Sequence, residues 1–173
     1  GFPFSTKKKA SRSAVAANKF VVCNADEGDP GAFSDKWLLE ERPHSVLLGM
    51  MAAGMITGAD TGIIYIRGEY PGSVIAVKSA IRELEEEKIA GKGIRYSGLG
   101  FKFYVVEGMG AYICGEETSL LNSLEGLRPE VRTRPPFPAT YGLFGKPTVL
   151  SNVETFANIW YILKEGGEAY ASL

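Results

Sequence analysis

Apolar residues along this chain follow two rhythms. A run at 20–23 (Phe20, Val21, Val22, Cys23) is β-branched or aromatic, and it stops at Asn24, Asp26, Glu27 and Asp29 before Pro30-Gly31. A run of that kind closed by Asn, Asp, Gly and Pro predicts a buried strand entering a tight loop. Short runs at 62–72 (GIIYIRGEYPG) and 101–108 (FKFYVVEG) predict two more strands. Between them the period lengthens. Val46, Leu47, Met50, Met51 and Met55 fall near helical spacing within 43–58, behind a Pro43 suited to a first turn. Val74, Val77, Ile81, Leu84 and Ile89 line one side of a helix over 73–91, with charges opposite and Gly91 as its expected cap. Segments 115–126 and 151–167 predict two further helices, the second with Ser151 or Asn152 near its start. Strands alternating with helices in this order predict an α/β domain with a mainly parallel sheet.

Composition narrows the function classes. With 173 residues, 45% hydrophobic and a net charge of −1, the chain suits one domain with a substantial core. That charge argues against nucleic acid as a partner. No apolar run approaches the roughly 18–20 residues that span a bilayer, so direct membrane insertion is not expected. Cys23 and Cys114 lie far apart without a CxxC. The pair therefore supplies neither a zinc site nor a full iron–sulfur ligand set, and reduced thiols in a cytoplasmic setting are expected. The lone histidine, His44, stands beside Pro43 as a cap or surface residue, with no Ser-His-Asp or Cys-His pairing in view.

Three loops carry candidate chemistry, and in open α/β sheets ligands bind beyond the carboxyl ends of strands. The first is NADEGDPG, whose gathered oxygens suit a metal, an acid/base pair, a ligand rich in hydroxyl and N–H donors, or a solvated Asx-turn. Its acids do not fit an EF-hand, which wants Gly at its sixth position. The second, GMGAYICGEET (108–118), breaks the dinucleotide fingerprint at Ile113 and the P-loop at Glu116-Glu117. A carboxylate where a phosphate-binding lysine belongs disfavours a nucleoside triphosphate. It suits ring N–H groups, a carboxamide or sugar hydroxyls, or simply complements the helix dipole. In the third loop, 132–152, Pro135, Pro136 and Pro138 stiffen the chain around Phe137, with Arg132, Arg134 and Lys146 nearby. A fixed aromatic face flanked by cations fits an adenine and its phosphates, a packed connector, or a PxxP ligand. Chemistry that needs no proton-transfer residue fits the whole best, and hydride transfer to a bound flavin is of that kind.

Five motifs in order, CNADEGDPGAF, RGEYP, GAYICGEETSLLNSLEG, RPPFP and GKPTVLSNVET, resemble the flavin-binding, NADH-oxidising subunit of respiratory complex I. They resemble equally its relatives in NAD(P)-linked hydrogenases and formate dehydrogenases. The resemblance covers nearly the whole chain. It implies a Rossmann-like layered domain over 1–173 that binds FMN and NAD(P)H. It also implies truncation at both ends, with the glycine-rich loop, the ubiquitin-like region and the iron–sulfur domain lying outside the segment. It further implies a hydride passed between NAD(P)H and FMN, then electrons passed to an iron–sulfur cluster not liganded here. The implied partners are iron–sulfur electron-transfer subunits of a larger complex, in the cytoplasm or at the periphery of a membrane-bound assembly.

Residue by residue, the resemblance assigns FMN contacts to Lys7, Asn24, Asp26, Tyr112, Gly115, Glu116, Ser151 and Asn152. It assigns the nicotinamide nucleotide to Phe2 and Phe137 as adenine-stacking rings, to Arg134, to Asp29 near the adenosine ribose, and to Glu117 beside the nicotinamide. No metal ligand is assigned. Ser151 replaces the first of two asparagines usual before VET, and FSTKKK replaces the usual Thr-Gly and Trp around the lysine. Asp29 stands where complex I more often has Glu, which shortens the arm by one methylene. These departures keep a second expectation open, a non-catalytic remnant that binds or assembles without a competent flavin site.

Overall fold

The computed structural model describes residues 4–13, 18–94 and 100–173. Among the described residues four strands form one sheet: β1 (Phe20–Ala25), β2 (Thr61–Arg67), β3 (Lys102–Gly108) and β4 (Thr148–Asn152). They are ordered β3-β2-β1-β4, and all three pairings are parallel. Parallel strands need covered faces, which is why their sequences read as nearly continuous apolar runs.

Alternation along the strands feeds two cores. Val21, Cys23 and Ala25 of β1, with Ile64 and Ile66 of β2, face one core. On that side pack α2 (Ser34–Glu41), α3 (Pro43–Thr57), α4 (Pro71–Glu86) and α6 (Val153–Glu165). Val22, Ile63, Tyr65 and Leu150 face the other, closed by Cys114 and Leu143 and by Leu120 and Leu121 of α5 (Glu117–Leu124). Two helices flank the chain ends, α1 (Phe4–Ser13) and α7 (Gly167–Ala171).

Helices α3 and α6 meet so closely at Gly49 that a Cβ there would lie 1.9 Å from the Phe156 carbonyl oxygen. Close approach, not backbone freedom, requires that glycine.

Several elements depart from the sequence expectation. The segment 132–152 is a connector only as far as Pro147, and its end is β4, whose register against β1 pairs Cys23 with Ser151 and Asn24 with Asn152. The last long helix accordingly starts at Val153, with Asn152 as its N-cap accepting from the Glu154 amide at 2.8 Å. The helix expected to Gly91 ends at Glu86. Lys88 follows with φ 56°, and Gly91 exchanges hydrogen bonds with Phe101. Helices α1 and α2 were not expected. Helix α1 is tied down through its lysines, because Lys7 Nζ donates to the Leu150 carbonyl. Lys19 Nζ reaches back from outside that helix to the carbonyls of Ser11 at 2.8 Å and Thr57 at 3.1 Å.

Candidate functional site

All four strands run the same way, so their carboxyl ends share one edge, and the loops leaving β1 and β3 close there around a cavity of about 600 Å³. Asn24 joins them: its Nδ2 donates to the Gly115 carbonyl at 2.9 Å, and its Oδ1 accepts from the Asp26 amide at 3.1 Å. The walls carry Asn24, Asp26, Asp29, Tyr112, Glu116 and Asn152, with Gly115 between them. Seven of the residues assigned by resemblance therefore share one hollow. No Lys or Arg lines it among the described residues.

The acids of the first loop divide by task. Glu27 is buried and, although it borders the cavity, its carboxylate is committed to the fold. Its carboxylate accepts from Ser34 Oγ at 3.2 Å and from the amides of Asp35 at 3.1 Å and Lys36 at 3.2 Å. It thus satisfies the first turn of α2, whose own N-cap, Phe33, offers no side-chain bond. Asp29 is held at the rim, where its Oδ1 accepts from the Tyr112 hydroxyl at 3.0 Å and pushes that phenol above its ordinary acidity range. Asp26 is pushed up, chiefly by burial, with Arg67 opposing and Glu69 adding to the rise.

Asp35 also lines this cavity, though it is only 5% exposed, and it accepts from Asn152 Nδ2 at 2.7 Å. Burial first, and then the nearby Glu27 and Glu154 carboxylates, lift its carboxyl to about 7 against the Asn152 hydrogen bond. The sequence reading missed Asp35 and Glu154. Asp35 lies in a helix that has no apolar stripe to announce it, and only its proximity to the acidic loop hinted at a role.

The two adjacent glutamates diverge. Glu116 is the N-cap of α5: its Oε2 accepts from the amides of Thr118 at 2.8 Å and Ser119 at 2.9 Å, and its Oε1 is paired with Arg134. Burial raises the Glu116 carboxyl, but these hydrogen bonds and the Arg134 charge outweigh it and leave it below the ordinary range. Glu117 faces a second, apolar hollow of about 150 Å³, lined also by Lys7, Phe137, Pro138 and Leu150. Arg134 Nη1 donates to Glu117 Oε1 at 2.6 Å, and Lys7 Nζ lies 3.9 Å from its Oε2. Burial lowers Lys7 from the ordinary lysine value, Glu117 opposes that, and Arg134 adds to it.

Arg134 thus spans the wall between the two hollows. Lys7, Glu117 and Phe137 sit on the second side of it. Ser151 is buried in β4 and lines neither. Phe2 lies outside the described residues.

A cavity of this size, walled by carboxylates and amides with apolar surface beside it, accepts a ligand rich in hydroxyl and N–H donors. The acid-lined edge repels a bare triphosphate.

Comparison with known proteins places the chain in a family. The family described as the Nuo51 FMN-binding domain matches residues 1–161. An NADH-quinone oxidoreductase subunit of Aquifex aeolicus is 45% identical over 170 residues, which cover 98% of this chain and 40% of that protein. The NADP-reducing hydrogenase subunit HndC of Solidesulfovibrio fructosivorans is 44% identical over 173 residues, covering all of this chain and 35% of that protein. The crystal structure of an NAD+-reducing [NiFe]-hydrogenase in the H2-reduced state superposes with a TM-score of 0.87 at 37% identity, over 95% of this chain and 28% of that one. The chain spans two fifths or less of the length of these curated relatives.

Proposed function

The chain belongs to the Nuo51 FMN-binding domain family, and from that premise we propose that it is the flavin module of an NAD(P)H-oxidising oxidoreductase subunit. The larger cavity holds FMN, and the Arg134 side of the wall meets the nicotinamide nucleotide. FMN, when bound, supplies the hydride acceptor and releases the electrons one at a time toward an iron–sulfur centre outside these residues.

The residues present fit that group. Asp26 and Asn24 accept from and donate to ribityl hydroxyls and ring N–H groups at the tip of β1. The Gly115 carbonyl is already spent on Asn24 and fixes the distance between the two loops. Asn152, with its Oδ1 on the Glu154 amide and one N–H on Asp35, keeps a second N–H for a ligand oxygen. Glu117 orients the carboxamide of the nucleotide from the second hollow, where Phe137 offers a ring face and Arg134 a cation. Asp29, locked by Tyr112, presents its remaining oxygen to a ribose hydroxyl. The partners of the assembled protein are iron–sulfur electron-transfer subunits; the relatives' names as hydrogenase and quinone oxidoreductase subunits support a place in a larger assembly. Among the described residues no helix is long and apolar enough to cross a membrane.

The observation that carries this reading is the convergence of Asn24, Asp26 and Glu116 on one cavity at the carboxyl edge of the sheet. The experiment is direct: the full-length subunit purified with FMN should be yellow, and its flavin absorbance should bleach anaerobically on adding NADH or NADPH. A colourless protein indifferent to FMN refutes the reading and favours a non-catalytic remnant.

A further inference from the structure

The RGEYP motif lines neither hollow, yet it is wired to the wall of the larger one. Arg67 ends β2, and its Nη1 donates to the main-chain carbonyl of Glu27. Its Nε and Nη2 are gripped by the Glu69 carboxylate at 3.2 Å and 3.0 Å. The guanidinium lies 5.2 Å from the centre of the Tyr70 ring, and Lys36 of α2 lies 5.5 Å from the same ring. The Tyr70 hydroxyl donates to Glu27 Oε2 at 3.3 Å. One turn after β2 therefore holds Glu27 by both its main chain and its side chain. Glu27 in turn separates Asp26 from Gly28 and Asp29, which face the cavity.

We propose that Arg67 is a positioning residue of the candidate flavin site: gripped by Glu69 and laid over Tyr70, it fixes the Glu27 carbonyl and so sets where Asp26 and Asp29 point. This rests on the larger cavity being the FMN site. A guanidinium suits the task because its planar fork serves two acceptors at fixed angles, whereas an ammonium is a single point charge. Arg67 also acts on Asp26 by charge. Asp26 faces Arg67 and Glu69 from the β2 tip, Tyr65 from within the sheet, and Asp29, Glu27 and Glu116 along the cavity. Arg67 is the cation in that set, so its loss leaves Asp26 protonating at higher pH.

The test uses the full-length subunit with Arg67→Gln, Arg67→Lys and Tyr70→Phe. FMN affinity is followed by flavin fluorescence from pH 5 to pH 8, and amide hydrogen exchange over residues 24–36 is measured without flavin. Arg67→Gln should weaken FMN at least tenfold at pH 7.5 and move the acid limb of binding toward neutrality. Arg67→Lys should weaken FMN several-fold with the acid limb unmoved, because the charge stays and the fork is lost. In both, the amides of Asp35 and Lys36, which depend on Glu27, should exchange at least tenfold faster. If Arg67→Gln fails to fold, Tyr70→Phe, which removes one hydroxyl from Glu27, must show faster exchange at those amides. Unchanged exchange in the folded variants overturns the proposal whether or not FMN binds. Faster exchange with unchanged FMN affinity and pH profile also overturns it. A wild-type subunit that ignores FMN instead sinks the flavin reading, and the exchange data then decide the bracing role alone.

Discussion

Asp35 should make this protein less stable as pH rises, and its replacement should remove that dependence. The carboxyl is buried, its bonded neighbour is the neutral Asn152, and its charged neighbours are Glu27 and Glu154. Lifting it from an ordinary 3.8 to about 7 means that the folded state holds a proton which the unfolded state has released. Stability therefore falls as pH climbs from about 4 to about 7, then levels off once both states are ionised. At about 1.4 kcal/mol for each tenfold change in acidity, the ionised form costs up to about 4 kcal/mol.

Asp35→Asn keeps a carbonyl oxygen for the Asn152 amide and offers its own N–H groups to Glu27 and Glu154. It should gain about 2–4 kcal/mol at pH 8, and that gain should shrink by about 2–3 kcal/mol by pH 5, where the native acid is mostly protonated. Urea unfolding of both proteins at pH 5, 6, 7 and 8 gives the difference free of the titration of every other group. An offset between the two that is the same at all four pH values would refute the reasoning, since it would mean that Asp35 titrates alike in the folded and unfolded chain.

Two further outcomes follow from contacts already described. Glu116→Ala removes the side-chain cap of α5 and should cost about 1–2 kcal/mol in urea unfolding, with Glu116→Gln intermediate because it keeps one acceptor oxygen. Gly49→Ala drives a Cβ into the Phe156 carbonyl and should cost about 3 kcal/mol or more, read as a lowered Tm; helix α6 is the part that must give way.

What the sequence made legible follows from where each element finds its partners. Strands β1 to β3 are buried by helices and stand out as apolar runs, so the three strands and the parallel sheet could be read directly. Strand β4 is five residues behind Pro147 and carries polar Ser151 and Asn152, so nothing local separates it from the proline-rich connector. Its identity comes from pairing with β1, over a hundred residues earlier in the chain. Helix α2 is started by the carboxylate of Glu27, a residue outside its own first turn, and no window over 34–41 contains that signal. Helix α1 is mostly polar in sequence, and its Lys7 reaching for the Leu150 carbonyl does part of the docking work. At the site, the gathering of acids at two strand tips was legible, since turns after strands must lie at one edge of a parallel sheet. Which acid faces a ligand and which braces the wall was not. Glu27 looks like its neighbours in sequence, and its hydrogen bonds to the start of α2 and to the Arg67–Tyr70 turn mark it as a brace.

The same division explains the paired glutamates. At a helix start, the N-cap residue turns its carboxylate back onto amides two and three positions ahead, and the next residue projects about 100° further round the axis. Glu116 therefore has Oε2 committed to Thr118 and Ser119 and Oε1 to Arg134, and it cannot follow a ligand without unmaking the helix start. Glu117 meets Arg134 through Oε1 alone. Its Oε2 faces Lys7 at 3.9 Å, beyond hydrogen-bonding reach. Of two chemically identical neighbours, one is saturated by the fold and the other keeps a less committed oxygen, the one that the proposed function gives to a carboxamide. Arg134 holds them in a fixed relation, so the rigidity of the first becomes the alignment of the second.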